Sequence, residues 1–129
     1  MFSPESLVKW YFTPKPFEKD GKVYEQLGIK HLEKLVVMIG THFNSTHYFL
    51  KDFSISSLTH YEMNTRFFES THLKGFGALV VAAVIVSPLT REGAAIAIAG
   101  AGMNLALVAL QRYNRSRIYS IYDRKGLDH

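Results

Sequence analysis

The chain has 129 residues, 47% of them apolar and only 20% charged, a composition that excludes a disordered polymer and fits one folded unit. With no cysteine there is no disulfide framework, no thiolate nucleophile and no cysteine metal site. The net charge of +4 does not point to nucleic acid, because the basic residues lie beside apolar segments, where the positive-inside bias of membrane proteins accounts for them.

In chain order, MFSPESLVKWYF lacks the continuous apolar core and preceding basic cluster of a secretory signal, so insertion is expected to depend on the C-terminal apolar region. Phe2 to Asp20 carries Pro4, Pro14 and Pro16 around Trp10, Tyr11 and Phe12, a pattern that predicts an interfacial lead-in rather than one long helix. From Lys22 to Ile39, Val23, Leu27, Leu32, Leu35, Val36 and Ile39 recur at roughly helical spacing, with a break or bend expected at Gly28. Gly40 to Ser57 reads as loop and short helix around Asn44, Ser45 and Thr46.

A helical pattern resumes at Ser56, passes through Tyr61, Thr65, Phe68 and His72, and enters the apolar block Gly75 to Val86, which Pro88 ends. After the polar turn Ser87 to Glu92 comes a second apolar block, Gly93 to Leu110. Each block approaches the ~20 residues needed to cross a ~30 Å hydrocarbon core. So short a turn makes the two helices antiparallel neighbours, with both chain ends on one side. The predicted fold is an all-α membrane protein with a C-terminal antiparallel transmembrane hairpin and interfacial N-terminal helices. We divide it into residues 1–72, interfacial or cytoplasmic, the hairpin 73–110, and a cytoplasmic basic tail 111–129. Arg112, Arg115, Arg117, Arg124 and Lys125 follow the second block, whereas the turn has Arg91 opposite Glu92, so both termini are expected in the cytoplasm.

The second block is rich in alanine and glycine, and pairs such as Gly93 with Ala97 and Ala95 with Ala99 permit close helix contact, either with the first span or with another chain. Association with other membrane chains or with a second copy is therefore expected, together with lipid contact. Asn104 inside this block suggests an interhelical hydrogen bond.

Two polar clusters flank the hairpin. In NTRFFESTH, Thr65, Glu69 and His72 fall on one helical face, and Arg66 is placed to pair with Glu69. A carboxylate beside an imidazole suits a general base, and an ordinary juxtamembrane polar cap is the alternative. The second cluster is QRYNRSR, Gln111 to Arg117, whose guanidinium groups suit an anion such as a lipid phosphate or the phosphates of an activated acyl donor; topology alone explains them equally well. His31, His42, His47 and His60 lack any HExxH partner, so no metal is expected, and the absence of GxSxG, Walker A and GxGxxG sequences removes the common hydrolase, phosphate-loop and dinucleotide readings.

TRFFESTH, the apolar span and QRYNRSR together resemble the glycosyl-4,4'-diaponeurosporenoate acyltransferase family, small bacterial membrane proteins of carotenoid glycolipid biosynthesis. The resemblance runs from about Trp10 to Ile118. FEKDGKVYEQLGIKHLEKL resembles an early segment of the family, Thr65, Arg66, Glu69 and His72 match a motif of the type ETRxAExxH, and Gln111, Arg112, Tyr113, Asn114, Arg115 and Arg117 match its closing QRYNRPR. Asn64 stands where that motif has an acid, Phe67 and Phe68 where it has small or basic residues, and Ser116 where it has proline. The resemblance implies transfer of a fatty acyl group to a sugar hydroxyl of a membrane glycolipid in the bacterial cytoplasmic membrane. No cofactor is expected. The resemblance also implies His72 as base, Glu69 as its orienter, Thr65 and Arg66 beside them, and Arg112 and Arg115 as anion contacts within a substrate-binding set of Gln111 to Arg115 and Arg117. A non-catalytic accessory subunit of a larger membrane complex is the competing reading.

Overall fold

A computed structural model describes residues 3–42 and 54–127. The order of elements is α1 (Pro4–Phe12), a 3-10 helix (Pro16–Gly21), α2 (Lys22–Gln26), α3 (Ile29–His42), α4 (Ile55–Val86) and α5 (Arg91–Arg124). The regular elements among the described residues are all helices, as the sequence pattern requires. Ser3 caps α1 by accepting from the Ser6 N–H, and Pro14 and Pro16 separate that helix from the next. The break expected in the following stretch lies at Gly28, whose φ of +84° few side chains tolerate, and it divides α2 from α3. Of the stretch assigned to loop and short helix, 43–53 lie outside the described residues, while α3 takes up 40–42 and α4 begins at Ile55.

α4 and α5 form the antiparallel hairpin. Ser54 caps α4, and Thr90 caps α5 by accepting from the Gly93 N–H at 3.3 Å. The first helix stops at Val86, two residues before Pro88, as the proline dictates. With 32 and 34 residues these helices are about 48 and 51 Å long, well beyond a ~30 Å hydrocarbon core. Both contain stretches long and apolar enough to cross a membrane. In that part Ala94, Ala97 and Ala101 are buried at turn spacing, with Gly100 close to Leu79, so one small-residue face of α5 packs on α4. Val80, Val81, Val84, Ile85, Ile96, Ile98 and Met103 point outward, an exposed apolar girdle that only lipid or another apolar surface satisfies.

Past Leu110 the pattern changes. Gln111, Tyr113, Asn114, Arg115, Ser116, Ile118 and Tyr119 are all buried, which no single helix face can achieve. Most of the expected basic tail, residues 111–124, is instead the C-terminal part of α5, packed against α4 and the N-terminal helices. Tyr24 and Ile29 pack on Leu110 and Tyr113 on one side, with Leu32 and Val36 beside them. Leu58 of α4 packs on Ile118, Tyr119 and Tyr122 on another. The tail is ordered because its apolar and aromatic residues, interleaved with the arginines, bury surface worth about 25 cal/mol per Å² against these helices.

A hairpin that spans the bilayer puts its tip and the end of α5 on opposite sides. In this cysteine-free chain, single cysteines at Leu89, 82% exposed at the tip, and at the exposed Lys125 are expected to react with an impermeant maleimide from opposite faces of a sealed vesicle. Labelling of both from the same face would rule out the hairpin.

Candidate functional site

The row Leu58, Glu62, Thr65, Glu69 is buried along α4 because residues three and four apart share a face, and that face meets the last third of α5. At its centre Glu69 and Arg115, both with fully buried side chains, form an ion pair through Arg115 Nη2 and Glu69 Oε2. The other donors of Arg115 are also engaged: Nε donates to the Phe12 carbonyl at 2.5 Å and Nη1 to Thr65 Oγ1 at 3.3 Å. The Thr65 hydroxyl itself donates to the Glu62 carbonyl at 2.6 Å, and the Phe12 ring lies 5.1 Å from the Arg115 guanidinium.

Arg112 sits beside this pair and joins it to the N-terminal helices. Its Nη1 donates to Glu69 Oε1 at 3.2 Å and to the Tyr11 carbonyl at 3.1 Å. Its Nε and Nη2 make a two-pronged contact with Glu18, at 2.7 and 2.8 Å, the planar geometry that favours arginine over lysine. Glu18, fully buried in the 3-10 helix, also accepts from the Lys15 N–H at 2.6 Å and from the Tyr24 hydroxyl. Burial alone would push the Glu18 carboxyl up, but the hydrogen bonds from Arg112, Lys15 and Tyr24 hold it below its ordinary value. Burial alone would lower Arg112, yet Glu18 and Glu69 hold it protonated well above the usual arginine range. Tyr24 is raised by burial and then by Glu18, and Tyr11 by burial and then by Glu69, so both phenols stay neutral.

A second cluster lies toward the start of α4. Arg66 donates to Glu62 Oε1 from Nε at 2.8 Å and from Nη2 at 2.6 Å, and the Tyr119 hydroxyl donates to the same oxygen at 3.1 Å. The Arg66–Glu69 pairing suggested by spacing is not made, because Glu69 turns toward α5, where it meets the buried Arg115 and the largely enclosed Arg112. Arg66, Glu62, Thr59, Tyr119 and Tyr122 line a groove of about 670 Å³ between α1 and the ends of α4 and α5, with Val8, Ile55 and Leu127 among its apolar walls.

The third group is nearest the apolar girdle. His72 is half-buried, and its Nδ1 lies 3.1 Å from Asn104 Oδ1. The orienting contact expected from Glu69 is thus absent: Glu69 serves Arg115 and Arg112, and the partner of His72 comes from α5. Asn104 makes the interhelical hydrogen bond its position suggested.

Among the proposed substrate-binding residues, Gln111, Tyr113, Asn114 and Arg115 are buried, and the Tyr113 hydroxyl donates to Glu25 at 3.0 Å. Arg112 and Arg115 hold carboxylates of this chain. Arg117 is different, with a side chain 55% exposed and Glu33 at 3.9 Å. Gln111 Nε2 is buried without a hydrogen-bond partner. Sequence reasoning missed Glu18, Glu62 and Tyr119, and the one signal that set Glu18 apart was its place as the first carboxylate after Pro14 and Pro16.

The buried charges make stability the direct readout of this cluster. Arg115→Ala leaves Glu69, Thr65 and the Phe12 carbonyl short of a buried donor, with an expected loss of about 3–5 kcal/mol; a melting temperature within a degree of the parent's in detergent would refute the core role. Because Glu18 is depressed when folded, its contribution is complete above pH 4.5, the ordinary value, and disappears as pH falls through the folded value. Melting temperature against pH is therefore expected to fall below about pH 4.5 in the parent, and less steeply in Glu18→Gln.

The family model described as glycosyl-4,4'-diaponeurosporenoate acyltransferase matches residues 8–124, from within α1 to the last residue of α5. No curated protein and no solved structure matches the chain. The matched segment takes in the buried arginine cluster, both apolar spans and the residues of both sequence motifs, and on that coverage the chain belongs to the glycosyl-4,4'-diaponeurosporenoate acyltransferase family.

Proposed function

We propose that this protein transfers a fatty acyl group from an activated donor to a sugar hydroxyl of a carotenoid-type glycolipid, at the bacterial cytoplasmic membrane and with both chain ends on the cytoplasmic side. The family match over 8–124 is the observation that carries this reading. The charge distribution supports the orientation, since Arg112, Arg115, Arg117, Arg124 and Lys125 lie at the polar end of the hairpin and Arg91 faces Glu92 at the other.

His72 is the residue we assign as base. It lies on α4 where the polar core gives way to the apolar girdle, the depth at which the hydroxyl of a lipid-anchored sugar and an acyl carbonyl meet. In the reaction the imidazole takes the hydroxyl proton as the sugar oxygen bonds to the acyl carbon. The bond from that carbon to the donor's leaving group then breaks, and the leaving group receives the proton. We assign Glu69, Arg115, Arg112 and Thr65 to holding the base's helix in register rather than to the chemistry, because all four are committed to one another. The exposed Leu7, Val8 and Trp10 of α1 suit the headgroup layer, and the outward Ala95, Ala99 and Gly102 are the surface for any partner chain.

His72→Ala is expected to lower acyl incorporation into a carotenoid glycoside by about 10²- to 10⁴-fold, the usual contribution of a general base, while helix content and detergent stability are kept. Undiminished incorporation by a folded His72→Ala protein would end the enzymatic reading in favour of the accessory subunit. In that case bulky replacements at Ala95 and Ala99 should abolish assembly.

A further inference from the structure

We infer that Asn104, admitted by Gly75, is the positioning residue that fixes His72 with Nε2 as its proton acceptor. This rests on the acyl-transfer reading and adds to it a partner that the spacing of the motif does not reveal.

The Asn104 carboxamide is oriented by its own helix. Its Nδ2 donates to the Gly100 carbonyl, one turn back in α5, at 2.9 Å. A carbonyl can only accept, so this contact identifies the nitrogen end and leaves Oδ1 as the atom 3.1 Å from His72 Nδ1. Oδ1 can only accept in turn, so Nδ1 carries the hydrogen. A neutral imidazole has one N–H, and the lone pair is therefore on Nε2. An asparagine does this without adding a charge at the edge of the apolar region, where a carboxylate would be costly.

Gly75 makes the contact possible. A Cβ at this position would lie 2.7 Å from Asn104 Oδ1, closer than side-chain atoms pack, and 3.2 Å from its Cγ, a tight contact. Gly75 is three residues after His72, on the same face of α4, and a larger residue there displaces the carboxamide from the imidazole. Glycine inside a helix costs about 1 kcal/mol relative to alanine, a cost α4 carries at Gly75, where Asn104 enters, and again at Gly77, where a Cβ would meet nothing. His72, Gly75 and Asn104 thus form one device across the two spans.

The full-length chain labelled with ¹⁵N and placed in phosphatidylglycerol nanodiscs gives a readout independent of turnover. The ring nitrogens of His72, assigned by their disappearance in His72→Gln, are expected to show the Nδ1–H tautomer. In Asn104→Ala and in Gly75→Ala the more common Nε2–H tautomer is expected to return, with acyl incorporation reduced by roughly 10- to 100-fold, a part of the contribution of a general base. Asn104→Asp keeps an acceptor opposite Nδ1, so despite the cost of its charge at this depth it is expected to restore the Nδ1–H tautomer and to turn over faster than Asn104→Ala. An Nε2–H tautomer in the parent protein, or unchanged tautomer and turnover in Gly75→Ala, would overturn this inference alone. Loss of tautomer control in the variants with no effect of His72→Ala on acyl incorporation would overturn the acyl-transfer reading, and the positioning role with it.

Discussion

Removing a carboxylate and a guanidinium from water costs several kcal/mol for each ion, and Glu69 and Arg115 both lose all exposure. The arrangement persists because little of their hydrogen-bonding capacity is wasted. Arg115 reaches a carboxylate, a hydroxyl and a backbone carbonyl, and Glu69 receives a second guanidinium from Arg112. Arg112 in turn requires Glu18, whose other hydrogen bonds come from the Lys15 N–H and Tyr24. The chain of contacts runs from α4 through α5 into the 3-10 helix, and removal of Glu69 or of Arg112 leaves Arg115 or Glu18 buried without its charged partner.

The attachment of the N-terminal region depends on the same arginines. No residue of α1 is buried, so hydrophobic packing alone holds it weakly. Its last residues are held at the carbonyls of Tyr11 and Phe12 by Arg112 and Arg115, with Arg66 also 5.4 Å from the Phe12 ring. The 3-10 helix follows because Glu18 must reach Arg112, and α2 and α3 close over Leu110 and Tyr113. The two polar motifs are therefore the interior of the membrane-proximal part of this protein.

Burial of the arginine-rich segment changes its relation to chemistry. Arginines that neutralise internal carboxylates hold geometry, whereas the residues left at the boundary between the buried polar core and the apolar girdle are His72 and Asn104. A rigid polar core on one side and a close small-residue contact on the other, through Ala94, Ala97 and Ala101, leave little freedom to the segment of α4 that carries the imidazole.

Local rules were enough to read the apolar spans, the proline stop at the tip, the break at Gly28 and the shared face of Thr65, Glu69 and His72, since each depends on residues within a turn or two of one another. The same spacing left the partners of Glu69 and His72 undetermined, because a helical face states which side chains are neighbours and not what the next helix presents to them. Glu18 meets Arg112 across 94 residues and His72 meets Asn104 across 32, pairings set by how α5 continues beyond the membrane and by the register of the hairpin. That register was decided by tertiary packing: small residues let the two long helices approach, and the buried charges accept only the alignment in which every guanidinium finds its carboxylate.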